Sequence, residues 1–85
     1  MRRIIFQPLA FEQYSQWAKD DKKIFKKVCK LLEETNRHPF KGIGKPEPLK
    51  HALAGYWSRR ISNEHRLVYK VTDEAIIVIA CKYHY

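Results

Sequence analysis

Two cysteines, three glycines, one methionine and nine acidic side chains in eighty-five residues leave several kinds of protein out of reach. Cys29 falls in a helical pattern and Cys81 in a strand pattern, without the dense, even spacing of a disulfide scaffold, so both are expected as reduced core residues. No apolar run approaches the roughly 18 residues that cross a bilayer. The basic start at Arg2 and Arg3 leads into no secretory signal, because Gln7, Pro8 and Glu12 interrupt it, and a cytoplasmic protein is expected. Gly44-Lys45 has the look of a phosphate-binding loop, but Pro46 stands where Ser or Thr should follow and bars a helix from starting there. His51, His65 and His84 lack metal-ligand spacing and a cysteine companion, so neither a zinc site nor any other cofactor is expected.

What the chain has in excess is positive charge. Seventeen Lys and Arg against nine Asp and Glu give a net charge of +8, while 45% of the residues are hydrophobic and 13% aromatic. A chain of this length organises one core, which excludes a two-domain enzyme, and its charge calls for a polyanionic partner.

Periodicity predicts the elements. Arg3 to Phe6 reads as a strand, and Pro8 suits the first position of a helix running to about Lys19, with Ala10, Phe11, Tyr14, Trp17 and Ala18 on one face. Asp20 and Asp21 offer a cap for a second helix. In that helix Ile24, Phe25, Val28, Leu31 and Leu32 form one stripe, and Lys22, Lys23, Lys26, Lys27 and Lys30 lie opposite, as a solvated face or a surface for phosphates. Asn36 and Pro39 end it. Pro39 to Pro48 reads as a stiff loop, and after Leu49 three β segments follow: Tyr56 to Ile61, Glu64 to Val71 and Ala75 to Tyr83, joined by turns at Ser62-Asn63 and Thr72 to Glu74. The expected architecture is α+β, with both helices on one face of an antiparallel sheet.

The free face collects charge. If Val71 faces Ala75, alternation carries Arg66, Val68, Lys70, Lys82 and His84 to one side, with Arg66 opposite Arg59 or Arg60. Like charges so placed repel unless an anion sits between them. Lys50, His51, Tyr85 and the loop residue Glu47 are expected nearby. Cleavage of RNA by its own 2′-hydroxyl needs a base, an acid for the departing 5′-oxygen and cations for the charge on phosphorus, for which Glu47, His84 and Arg66 are the candidates.

The runs Gly44-Lys45-Pro46-Glu47-Pro48-Leu49-Lys50-His51, Gly55-Tyr56-Trp57-Ser58-Arg59-Arg60-Ile61, Glu64-His65-Arg66-Leu67-Val68-Tyr69 and Cys81-Lys82-Tyr83-His84-Tyr85 resemble the YoeB toxins of the RelE/ParE superfamily. The resemblance implies one RelE-like toxin domain over residues 1–85, a metal-independent endoribonuclease that cuts messenger RNA in the ribosomal A site. It implies Glu47 as base, His84 as acid, Arg66 as transition-state cation and Tyr85 as a substrate-placing residue, with Lys50, His51 and Arg60 in the surrounding basic site. It further implies a YefM-like antitoxin, binding of operator DNA through the toxin-antitoxin complex, and homodimers. Two other readings compete: a non-catalytic ParE-like toxin that acts on a topoisomerase through protein contacts, and a basic nucleic-acid-binding module.

Overall fold

In the computed structural model, which describes residues 2–83, β1 (Arg3–Phe6) is followed by α1 (Pro8–Asp20) and α2 (Lys22–Arg37). The chain continues through β2 (Glu47–Pro48), a short 3₁₀ turn at His51–Leu53, β3 (Trp57–Arg60), β4 (Arg66–Val71) and β5 (Ala75–Ala80). The strands form one five-stranded sheet in the order β1-β5-β4-β3-β2. The helices cover one of its faces: Ala10, Trp17, Val28, Leu31 and Leu32 pack with Leu67, Tyr69, Ile76 and Val78 in the main core.

Both helices start where the sequence says they should. Pro8 occupies the first turn of α1, where a missing N–H costs nothing. Of the two acidic candidates it is Asp21 that caps α2, its carboxylate accepting from the N–H groups of Lys23 at 3.1 Å and Ile24 at 3.2 Å. Lys22, Lys23, Lys26, Lys27 and Lys30 are exposed and Val28, Leu31, Leu32 and Thr35 buried, so the two stripes of α2 separate as expected. On α1 the inward face is narrower than its pattern suggests, because Phe11 and Ala18 are exposed while Ala10 and Trp17 are buried.

The sheet is mixed rather than antiparallel, since β1 runs parallel to β5, with Ile4 opposite Ile76 and Phe6 opposite Val78. Two intervening helices give the chain the length to return before entering the sheet edge, which a tight turn cannot do. The other pairings are antiparallel. The stiff loop contains an element that periodicity could not show: Glu47 and Pro48 pair with Ser58 and Trp57 and make a two-residue edge strand.

Three expectations about register change. Val71 pairs with Ile76, not Ala75, because Thr72 closes the turn by donating its N–H to the Ala75 carbonyl at 2.9 Å. A bulge between Val68 and Tyr69 then shifts the pairing, so that Val68 meets Ala80. The turn before β4 is longer than Ser62-Asn63, since Ile61 N–H bonds the His65 carbonyl at 2.9 Å and β4 starts at Arg66. Finally, the last strand stops at Ala80. The chain then folds toward α1, where Cys81 N–H donates to Gln13 Oε1 at 2.7 Å and Lys82 Nζ to Gln16 Oε1 at 3.2 Å. Lys82 also lies over the Trp17 ring at 5.2 Å, which removes it from the face that carries Arg66.

Candidate functional site

Paired residues in a sheet share a face, so the register alone says which side chains meet. Leu67 and Tyr69 belong to the main core under the helices. Their neighbours Arg66, Val68 and Lys70 therefore take the other face. Val68 pairs with Ser58, which pairs with Glu47, and Arg66 pairs with Arg60. The open face thus has a central row of Glu47, Ser58 and Val68, and one step along the strands, roughly 7 Å away, a row of Arg60 and Arg66. Ser58, Val68 and Ala80 are buried, which gives the charges a tightly packed floor. One step in the other direction Lys70 Nζ lies over the Tyr56 ring at 5.8 Å.

Of the two arginines, Arg66 is tied back by the turn that precedes it. Its guanidinium donates to the carbonyls of Ser62 at 2.6 Å, Asn63 at 3.3 Å and His65 at 3.1 Å. A like-charged pair directly opposite in a sheet is unfavourable unless a counter-charge is supplied. Here the nearest carboxylate by register, that of Glu47, sits a row away, and a phosphate placed between the arginines would supply the charge.

Glu47 owes its place to the chain before it. Lys45 has φ 49° and Gly44 φ 80°, two successive left-handed residues that swing the chain into β2. At Gly44 any Cβ would stand 2.9 Å from Leu31 Cδ2 and 3.1 Å from Arg59 Cβ, so the backbone passes where only glycine fits. The Gly44 carbonyl accepts from Arg60 N–H at 2.7 Å, which sets the register that puts Glu47 on Ser58.

Arg59 is a correction to the free-face reading, which left it and Arg60 as alternatives. Register sends Arg60 to the open face and Arg59 to the other side, where it is wholly buried. The expected site residues Lys50 and His51 are exposed, at the far end of the β2–β3 hairpin beyond the Leu49-to-Tyr56 backbone bond, and so flank the Glu47 row on the side away from the arginines. The α2 lysines lie on the helical side of the sheet, away from all of these. His84 and Tyr85 lie outside the described residues.

Tyr83, just before them, is held on both sides. Its N–H donates to His65 Nδ1 at 2.8 Å and its carbonyl accepts from Arg66 N–H at 2.9 Å. The His65 ring also meets Trp17 edge-on at 4.8 Å. The sequence shows of His65 only that it lacks metal-ligand spacing; its contact with Tyr83 depends on the chain's departure from β5 at Ala80, for which the sequence carries no clear signal. Among the described residues no three His, Cys, Asp or Glu side chains cluster as metal ligands would.

Comparison with known proteins identifies the family and the fold. A family model described as a YoeB-like toxin of bacterial type II toxin-antitoxin system matches residues 6–85. The chain belongs to that family. It is 52% identical over 83 residues to the toxin YoeB of Escherichia coli strain K12, covering 98% of this chain and 99% of the relative. The YoeB dimer structure from Staphylococcus aureus superposes with a TM-score of 0.92 at 52% identity, over 99% of this chain and 98% of that one. A heterotetrameric YoeB-YefM toxin-antitoxin complex from the same organism contains a chain that superposes with a TM-score of 0.91 at 51% identity, over 100% of this chain and 99% of that one. The protein is therefore a YoeB-like toxin with the α+β fold of that family.

Proposed function

We propose that the protein is a ribosome-dependent endoribonuclease that cuts messenger RNA in the A site, working in the cytoplasm as one toxin domain over residues 1–85. The observation that carries the reading is the Arg60–Arg66 pair on the open face with Glu47 one row away. Glu47 takes the proton of the 2′-hydroxyl, whose oxygen attacks phosphorus. Arg66, with Arg60 beside it, neutralises the charge that builds on the non-bridging oxygens. The bond from phosphorus to the 5′-oxygen breaks, and His84 supplies the proton that this oxygen needs. Tyr85, Lys50 and His51 hold the flanking RNA.

The small chain offers little surface for bending RNA into the in-line geometry, so the ribosome does the positioning, gripped through Lys22, Lys23, Lys26, Lys27 and Lys30. An antitoxin of the YefM kind, acidic where it meets Arg60 and Arg66, would cover the open face, and the pair would repress its own operon through operator DNA. A homodimer fits the Staphylococcus aureus relative described as a dimer.

The test is a translating extract with and without the protein, followed by end-group analysis. Attack by a 2′-hydroxyl must leave a 2′,3′-cyclic phosphate, or the 3′-phosphate derived from it, and a 5′-hydroxyl. A 5′-phosphate on the downstream fragment would show that water was the nucleophile and would overturn this scheme. Intact messenger with arrested growth would point to the topoisomerase-directed alternative.

A further inference from the structure

Among the described residues Arg59 is the largest fully buried side chain, and the hydrogen-bond partners it has there are neutral. Its Nε donates to Tyr69 Oη at 3.1 Å, one terminal nitrogen to the Ile43 carbonyl at 3.0 Å, and the other to the carbonyls of His38 and of Lys41, the latter at 2.9 Å. Tyr69 in turn donates its hydroxyl to the Pro39 carbonyl at 2.7 Å. Burial raises the Tyr69 pKa, against a lowering influence of Arg59, so the phenol keeps the proton that this bond requires. A buried cation is costly without a counter-ion, and it is tolerated here because four acceptors surround a planar donor fork.

All the carbonyls so engaged belong to the segment between α2 and β2. Within that segment the backbone supplies one long bond, from Lys41 N–H to the His38 carbonyl at 3.5 Å. Arg59 and Tyr69 therefore bind carbonyls along 38–43, and the segment leads through Gly44, packed on Arg59 Cβ, to Lys45, Pro46 and Glu47. The next residue of β3, Arg60, faces the site. One dipeptide thus fixes both sides of the chemistry: Arg60 by its side chain, Glu47 through the loop that Arg59 holds.

We propose that Arg59 is a positioning residue for Glu47, acting from inside the core through the 38–46 loop. The role rests on the reading of Glu47 as the base. Lysine keeps the charge of Arg59 but has no planar fork with which to hold three separate carbonyls, so the conservative exchange should loosen the loop without emptying the core.

The experiment compares single-turnover cleavage on programmed ribosomes for the wild type, Arg59→Lys, Glu47→Gln and the double variant, with ribosome affinity and amide exchange measured on the same proteins. Arg59→Lys is expected to cut about 10- to 100-fold more slowly, as a displaced catalytic group does. Ribosome affinity should be unchanged, and exchange at the Arg60 amide, which bonds the Gly44 carbonyl, should accelerate. With Glu47 already replaced, the lysine exchange should cost no further rate, since there is no base left to misplace. Multiplying losses, or a wild-type rate in Arg59→Lys, overturn the proposal. Should Arg59→Lys not fold, Tyr69→Phe, which keeps the ring and removes both hydroxyl bonds, carries the test: a smaller rate loss, again absent in the Glu47→Gln background, supports the role, and an unchanged rate refutes it. Glu47→Gln cutting at the wild-type rate removes the base assignment and this role together, whereas Glu47→Gln impaired beside an unaffected Arg59→Lys refutes the role of Arg59 alone.

Discussion

At the residue scale the site is a matter of parity. Arg59 and Arg60 are the same amino acid one position apart, yet one is a core clamp and the other faces the open surface, and only register separates them. The sequence could place Arg66 opposite one of the two. It could not choose, because the loop between β3 and β4 runs from Ile61 to His65 rather than closing at Ser62-Asn63. Arg66 itself was legible from alternation. If it serves as the phosphate cation, Arg66→Ala should lower cleavage about 10²- to 10³-fold, the usual cost of one electrostatic partner of a developing oxyanion. Of the carbonyls it leaves, that of Asn63 is exposed and that of His65 still accepts from the Ile61 and Ser62 N–H groups, so the thermal midpoint should move little. Cleavage within a few-fold of wild type would remove Arg66 from the reaction, and a large fall in midpoint would make its three carbonyl bonds structural instead.

At the element scale the helices were readable and the sheet was readable only in part. A period of 3.6 with a clean division between the Lys stripe and the Val28, Leu31, Leu32 stripe identifies α2 without any tertiary information. The start of β5 at Ala75 was equally plain, but alternation carries the strand to Tyr83 where it stops at Ala80. What a period of two cannot reveal is an inserted residue, and the bulge at Val68/Tyr69 changes the pairing of everything beyond it. Nor can it reveal β2, whose two residues include a proline: Pro48 is acceptable there because β2 lies at the sheet edge. The cap of α2 provides a test at this scale. Asp21→Ala removes an acceptor from the N–H groups of Lys23 and Ile24 and should cost about 1 kcal/mol in urea unfolding, with cleavage unchanged. Asp21→Ser should restore most of that loss. Equal stability of the alanine and wild-type proteins would mean that water satisfies these donors as well.

At the scale of the whole molecule two features of the fold become measurable in solution. The first is alkaline lability. Cys81 is buried between β5 and α1, where its thiol reaches the Ala10 carbonyl at 3.7 Å, and burial pushes its pKa from 9.0 up to about 12. A group whose pKa is higher folded than unfolded holds protons that the unfolded chain has released, so its contribution is complete below pH 9.0 and is lost as the pH climbs toward about 12. The stability advantage of the wild type over Cys81→Ala should therefore shrink across that window when urea midpoints are compared. Parallel curves would mean that the thiol ionises in the folded protein as it does in the unfolded one.

The second feature is the placing of seven of the seventeen Lys and Arg on opposite sides of the sheet. Arg60 and Arg66 occupy the open face, and Lys22, Lys23, Lys26, Lys27 and Lys30 project from α2 on the other. On the proposed reading the open face exchanges substrate and is closed by the antitoxin, whereas the lysine face, serving only to dock, needs affinity alone. If the lysines grip ribosomal RNA, each phosphate contact releases a counter-ion, and the slope of log K against log salt falls by about 0.7 to 0.9 for each contact removed. Replacing Lys23, Lys26 and Lys30 with glutamine should then weaken ribosome binding most at low salt and flatten that slope by about 2. Antitoxin affinity should change far less, because the acidic partner is expected on the face that carries Arg66. An unchanged salt slope would sink the docking role of α2. A loss of antitoxin affinity as large as the loss of ribosome affinity would instead place both partners on the lysine stripe and make toxin release a competition for one surface.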